Sequence, residues 1–503
     1  MITVPGGVRL FQSIACSMFV VSIATPASAV PPFQACGFKI GEVDSDSAIV
    51  WTRLTLHSVA NPKDGPMYEI VEEPYKAGSQ PDYPPNHPNK SRLSVKRRHS
   101  IYPVGVTVAD IRDAVPGVAG EVRVGYRLSA SKEWTWSQWR SVDGERDYTH
   151  QFQLADLKPN SRYHLSVESR NEDGEGESTE GGFRTAALPG SAADVLFTVS
   201  TGQQFFHQDS DEGYRIYDTM AKLDPNFFVH TGDIIYYDRL TTSLPEARYH
   251  WQRMYSLPTN VRFHQRVASY FIKDDHDTYT NDCWATLKTG YQGDFTFAQG
   301  LGVFREQVPM GKETFRTIRW GSDLQIWLVE GRDFRSPNTA ADGPEKTIWG
   351  VAQKQWLKES ISNSNATFRI LISPTPIVGP DRVGNKHDNH SNVDFQHEGD
   401  EIRTFLAKQE NTIVICGDRH WQYHSVDPRT DIREYSCGPA SDEHAGGWTK
   451  DDFRADYHRF LEVAGGFLSV KCQRDKNMPT LTLSFHTVDG EVRFEDKLVG
   501  VTK

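Results

Sequence analysis

FFVHTGDIIYYD, residues 227–238, decides how the rest of the chain reads. Phe227, Phe228 and Val229 close an apolar strand, and Gly232-Asp233 lets the backbone turn so that an acceptor side chain leaves the sheet edge. Two carboxylates, Asp233 and Asp238, and two phenols, Tyr236 and Tyr237, then fall within one short turn. Oxygen donors of this kind suit hard cations, so the stretch predicts a metal-binding strand end. The plainer alternative is a strand-to-loop turn capped by an aspartate.

The same pattern recurs through residues 192–503. VLFTVSTGQQ, FFVHTGDIIYYD, ASYFIKDDHDTYTND, LQIWLVEGRDFRS, FRILISPTP and TIVICGDRHWQYH each place an apolar run ahead of a turn rich in Asp, His, Arg or Gly. Helical stretches lie between several of them: EGYRIYDTMAKLD, VAQKQWLKESISN and GDEIRTFLAKQ. Strand and helix in alternation predict a layered α/β domain whose ligands collect beyond the carboxyl ends of the strands. After Gly438 the reading returns to β, with GGFLSVKCQ, TLTLSFHTV and EVRFEDKLV expected as hairpins at the sheet edge.

Residues 30–187 read as an all-β region. FKIGEVDSDSAIVWTRL has the form of a hairpin, and GEVRVGYRLSA with EWTWSQWRSV supplies two further strands. LKPNSRY resembles the tyrosine corner of fibronectin type III sandwiches, in which a Tyr hydroxyl bonds back to upstream backbone. The region is therefore expected to be a fibronectin type III-like β-sandwich, carrying a long insertion at about residues 61–115. A basic cluster in that insertion, Lys90, Arg92, Lys96, Arg97 and Arg98, reads as a solvated loop or a docking patch. The first 29 residues hold one charge, Arg9, an apolar segment and then Ala27-Ser28-Ala29. They predict a secretory signal peptide cleaved before Val30, with no twin-arginine pair and no membrane span. The protein is thus expected to be secreted or periplasmic.

The whole chain has a net charge of −11, and losing Arg9 with the leader makes it −12 (−11 − 1). That charge repels polyanions and argues against nucleic-acid binding. Beyond Cys16, five cysteines remain, Cys36, Cys283, Cys416, Cys437 and Cys472, with no CxxC spacing. At most two disulfides can form among them.

Three strand ends carry metal-type ligands: Asp233 with Tyr236 and Asp238, the DDHD run 274–277 with Asn281, and Asp418 with His420. Converging strand ends would make a multinuclear site of oxygens and imidazoles, suited to activating water and gripping an ester's oxygens. In DDHD not every group can face one metal, so Asp274 and Asp277 either bind or cap. Arg332 and Arg335, with Arg419, either clamp a tetrahedral oxyanion or act structurally, Arg332 and Arg335 through pairs with Glu330 and Asp333.

The trio GDIIYYD, DDHD followed by Asn281, and GDRHW, in this order and spacing, resembles the alkaline phosphatase D family of the metallophosphoesterase superfamily. The resemblance covers essentially the whole mature chain, with LVEGRDFRS and FQHEGDEIRTFL as supporting pieces. It implies a phosphomonoesterase and phosphodiesterase that uses iron with calcium and works outside the cytoplasm. Carried over by residue, Asp233 would bridge metals and Tyr236 would give a phenolate to ferric iron. Asp275, Asn281 and Asp418 would hold the remaining cations, with His420 near the iron. His276 would sit by the leaving group as general acid. The chain departs from the family in one turn: STGQQ, residues 200–204, has Gly202 where the family has a cysteine thiolate.

The sequence therefore points to a secreted phosphoric ester hydrolase working through a metal-activated hydroxide on a small phosphoester. The alternatives are a non-catalytic calcium-binding or adhesive protein on the same fold, and a hydrolase of a related ester such as a sulfate.

Overall fold

Continuous apolar runs such as FFVH and FRILIS become strands buried on both faces, which is how parallel strands covered by other layers read. The computed structural model describes residues 30–75, 96–381, 387–448 and 453–501. The signal-peptide expectation, Lys90 and Arg92 of the basic cluster, and residues 382–386 lie outside them.

The six runs divide between two sheets instead of sharing one. Val195–Ser200, Phe227–His230 and Ala268–Phe271 are parallel neighbours in the first, with Phe197 opposite Phe227 and Phe227 opposite Ala268. Leu324–Leu328, Phe368–Ser373 and Thr412–Cys416 are parallel neighbours in the second. Alternate residues of each strand turn opposite ways. Phe197, Val229 and Tyr270 share one core with Ile326, Ile370 and Ile415 from the other sheet. Phe228 and Phe271 turn outward onto helices Arg215–Ala221, Leu244–Tyr255, Pro258–His264 and Phe297–Gln307. Trp327, Leu371 and Val414 turn outward onto Gly350–Ser362 and Gln396–Leu406. The layers are helix, sheet, sheet, helix.

The first sheet has nine strands. From one edge to the other they are Val492–Val499, Met478–His486, Phe467–Asp475, Val195–Ser200, Phe227–His230, Ala268–Phe271, Phe38–Gly41, Ala48–Arg53 and Thr149–Leu154. The three C-terminal runs form the expected edge hairpins. The early hairpin also forms, Phe38 facing Thr52, but it joins this sheet through a parallel step from Gly41 to Ser269. The remaining N-terminal strands outside the insertion make a third sheet built on Glu121–Leu128 and Arg162–Asn171. There the Tyr163 hydroxyl accepts a hydrogen bond from Lys158 N at 2.7 Å. Pro31–Lys503 is one compact unit.

The insertion is anchored to the α/β half. Its strands Glu69–Pro74 and Lys96–Ile101 pair, and Arg98 Nη1 donates to the Asp238 carbonyl at 2.8 Å. Tyr68 donates to the Leu240 carbonyl, and Tyr102 to Glu246 at 2.9 Å. Lys96 pairs with Glu72 and Arg97 with Asp294. The described part of the basic cluster is thus engaged within the chain. Cys36, Cys283, Cys416, Cys437 and Cys472 are all buried free thiols. Burial pushes those of Cys283, Cys437 and Cys472 up to about 12. Among the described residues no helix is long and apolar enough to cross a membrane.

Candidate metal centre

The parallel strands stop level with one another and their loops remain bonded. Gly202 N donates to Gly232 O at 3.2 Å, Gln203 N to Asp233 O at 2.9 Å, and Tyr237 N to His276 O at 3.1 Å. Gly232 has φ +108, and a Cβ there would lie 2.7 Å from Asp274 Cβ, so glycine is required where the second and third loops touch. Asp233 and Asp418 both sit in the left-handed region, at φ 55 and 63. Side chains rarely adopt it, and such strain collects at functional turns. Gly417, just before Asp418, lies against Thr231: a Cβ would be 2.6 Å from its Oγ1. The second sheet therefore delivers Asp418, Arg419 and His420 to the same place as the first.

One carboxylate oxygen each from Asp233 and Asp275 and one ring nitrogen of His276 lie within 4.8 Å of one another. Tyr236 Oη is 3.2 Å from Asp233 Oδ2 and 3.2 Å from His420 Nε2, and Asp233 Oδ2 is 3.4 Å from His420 Nε2. Asp233 Oδ1 is buried with no hydrogen-bond partner. Burial pushes the Asp233 carboxyl up to about 7; His276 opposes the rise and Asp275 adds to it. Burial, then Asp233 and Asp275, also hold the Tyr236 phenol well above its ordinary value. A carboxylate so deprived of compensating charge suits a bound cation. The two phenols part company: Tyr237 is fully buried and accepts a hydrogen bond from Trp251 Nε1 at 2.8 Å.

The DDHD run divides its labour. Asp275 and His276 face the site. Asp274 turns back to Arg332, and Asp277 accepts the backbone N–H groups of Ile234 at 3.1 Å and Asp274 at 2.7 Å, stapling two loops. Asp238, grouped with the metal ligands in the sequence reading, instead bonds His276 Nδ1, Thr280 Oγ1 at 2.9 Å and Asn281 N at 2.7 Å. The Asn281 backbone is thereby tied to the turn that carries Asp233 and Tyr236. Burial alone would lower the His276 imidazole, but Asp238, Asp275 and Asp233 raise it well above its usual value.

The arginines are more deeply committed than expected. Arg332 is fully buried; its Nε and Nη2 lie 2.7 and 2.6 Å from Asp274 Oδ1, and Nη2 is 3.8 Å from Asp275 Oδ2. Of the two roles the sequence leaves open for Arg332, these contacts are of the structural kind, behind the acidic loop. Glu330 and Asp333, offered as its partners by the sequence, hold Lys273 at 2.5 and 2.7 Å. Arg419 pairs with Asp381 at 2.9 Å and lies against its neighbour Asp418. Arg335 donates to Asn338 Oδ1 at 2.8 Å and to the Asp388 carbonyl, while its buried Nη1 has no hydrogen-bond partner. Two other histidines serve packing: His390 is buried against Trp349 and bonds Glu398, and His424 stacks on Tyr435. His444, absent from every motif quoted above, stands at the site with Nε2 3.1 Å from Tyr236 Oη.

A family model described as PhoD-like phosphatase matches residues 197–464. The chain belongs to the PhoD-like phosphatase family. It is accordingly a metal-dependent phosphatase, with the expected resemblance upheld and the non-catalytic alternative set aside. Among solved structures, "Structure of PhoD" superposes with a TM-score of 0.68 at 15% identity, covering 95% of this chain and 90% of that one. The purple acid phosphatase PPD1 from yellow lupin (Lupinus luteus) seeds superposes with a TM-score of 0.57 at 10% identity, covering 90% of this chain and 93% of that one. At such identities these likenesses speak to the fold. No curated protein matches the chain. The residues of this PhoD-like phosphatase fit a cation, since Asp233, Asp275 and His276 converge around a buried carboxylate oxygen that the protein itself leaves without a partner.

Proposed function

We propose that this PhoD-like phosphatase is a secreted phosphomonoesterase and phosphodiesterase acting on small phosphoric esters. The convergence of Asp233, Asp275 and His276, with Tyr236 and His420 beside them, carries the reading. Asp233, Tyr236 and His420 would hold iron, and Asp275, Asn281 and Asp418 would offer the oxygen donors that calcium takes. Cations held there would lower the pKa of a water and draw charge from the phosphoryl oxygens.

The remaining steps belong to side chains. Asp238 fixes His276 through Nδ1, so its Nε2 would be the atom that protonates the departing alkoxide. Arg335, through its unpartnered Nη1, contacts the ester oxygens. Arg332 and Arg419 hold the carboxylate loops in place. The Tyr163 hydroxyl bond supports reading the third sheet as fibronectin type III-like, and a leader ending at Ala29 supports export.

Hydrolysis of a chromogenic phosphomonoester and phosphodiester tests the reading. Turnover should disappear with chelator and return on adding metal; turnover that is absent, or indifferent to chelator, overturns it. The exported protein should begin at Val30 by mass spectrometry.

A further inference from the structure

The end of strand Arg433–Cys437 delivers a further polar loop to the site, and with it a second imidazole on Tyr236. His444 Nε2, His420 Nε2 and Asp233 Oδ2 lie 3.1, 3.2 and 3.2 Å from the Tyr236 oxygen. Ligands bonded at about 2.0–2.2 Å around one cation stand roughly 3.0–3.6 Å from their neighbours, a range into which these three hydrogen-bond distances also fall. The buried Asp233 Oδ1 has no partner, an independent sign that the cluster is not complete in hydrogen bonds alone.

We propose that His444 is a ligand to a transition-metal cation, forming with Asp233, Tyr236 and His420 a set of two imidazole nitrogens, a phenol oxygen and a carboxylate. The proposal rests on the reading of this site as the metal centre of a phosphoesterase. His444 Nδ1 lies 3.3 Å from the Gly202 carbonyl oxygen, which places the ring proton on Nδ1 and leaves the Nε2 lone pair facing Tyr236. Gly202 also makes the room. A Cβ at that position would be 3.2 Å from His420 Nε2 and 3.5 Å from His444 Cε1. The ring of His444 thus borders the space that a longer side chain at residue 202 would enter. Replacing an anionic sulfur by a neutral nitrogen removes one negative charge from the site. The resulting pair of imidazoles favours a transition metal over calcium, which takes oxygen ligands.

The test is a titration of the metal-stripped full-length protein with Co2+, read by visible absorption and calorimetry. The wild type should take up a tight equivalent whose absorption marks mixed nitrogen and oxygen coordination, and excess Ca2+ should not displace it. His444→Ala and His444→Gln should each weaken that equivalent at least about tenfold and shift its band, with the melting temperature of the stripped protein unchanged. Unchanged Co2+ affinity and spectrum in both variants would overturn the assignment while leaving the metal centre standing. A wild type that takes up no Co2+ would instead overturn the phosphoesterase reading beneath it.

Discussion

Asp233 carries three burdens: a left-handed backbone, a buried carboxylate, and one oxygen without a protein partner. None of them stabilises the chain by itself, so the aspartate is held for what it binds. Asp233→Asn should lower phosphatase activity by roughly a thousandfold or more, the loss expected when a bridging ligand goes. The melting temperature of the metal-free protein should not fall, because the amide needs less charge compensation than the carboxylate. At this scale the sequence was legible in identity and blind in direction. Asp233, Tyr236 and His420 stood out as ligands and do converge, but Tyr236 and Tyr237 look alike on paper and only one faces the site. Asp238 was equally visible, and its turn toward His276 depends on the backbone of Asn281, 43 residues on. His444 escaped notice because the strand before its loop, REYSC, carries Arg433 and Glu434 where the other strands have an apolar run.

The acidic loop after Ala268–Phe271 behaves as a unit braced from behind. Arg332 neutralises Asp274 with both groups fully buried. Removing one partner of such a pair leaves a stranded charge, so Arg332→Met should cost about 3–5 kcal/mol in urea unfolding and weaken metal uptake together. Helix Gln396–Leu406 is pinned through Glu398 in its first turn, which accepts Ile348 N, Thr347 Oγ1 and His390 Nε2. Burial works to raise Glu398, but the bonds from His390, Ile348 and Thr347 hold it down to about 2 from 4.5. A carboxyl depressed on folding stabilises the protein above its unfolded value and loses that contribution as pH falls from about 4.5 through about 2. The shift is worth on the order of 3 kcal/mol. Urea midpoints from pH 6 to pH 3 should fall less steeply in Glu398→Gln than in the wild type. Leu244–Tyr255 went unread because Glu246, Tyr249, His250, Trp251 and Arg253 are all buried, so burial there follows partners and not hydrophobicity.

At the scale of the molecule, the layered α/β class and the all-β start were legible because each strand's composition reports its own surroundings. Which strands meet was not, since pairing between residues 41 and 269 leaves no local trace. That pairing joins the N-terminal strands to the catalytic sheet, and one core runs from Phe38 and Val167 to Ile372 and Tyr435. A chain cut to residues 192–503 would bare the open edge of Ala268–Phe271 and the core under it. It should be insoluble, or lack a cooperative melt, whereas the full chain should unfold in a single transition. The five sealed thiols turn this cooperativity into something that can be timed. In the native protein a thiol reagent should modify none of them, because both access and thiolate are withheld. The order in which they react under mild denaturant would then be a clock of opening, with Cys283, whose carbonyl accepts from Arg332, reporting the acidic loop and Cys416 and Cys437 reporting the second sheet.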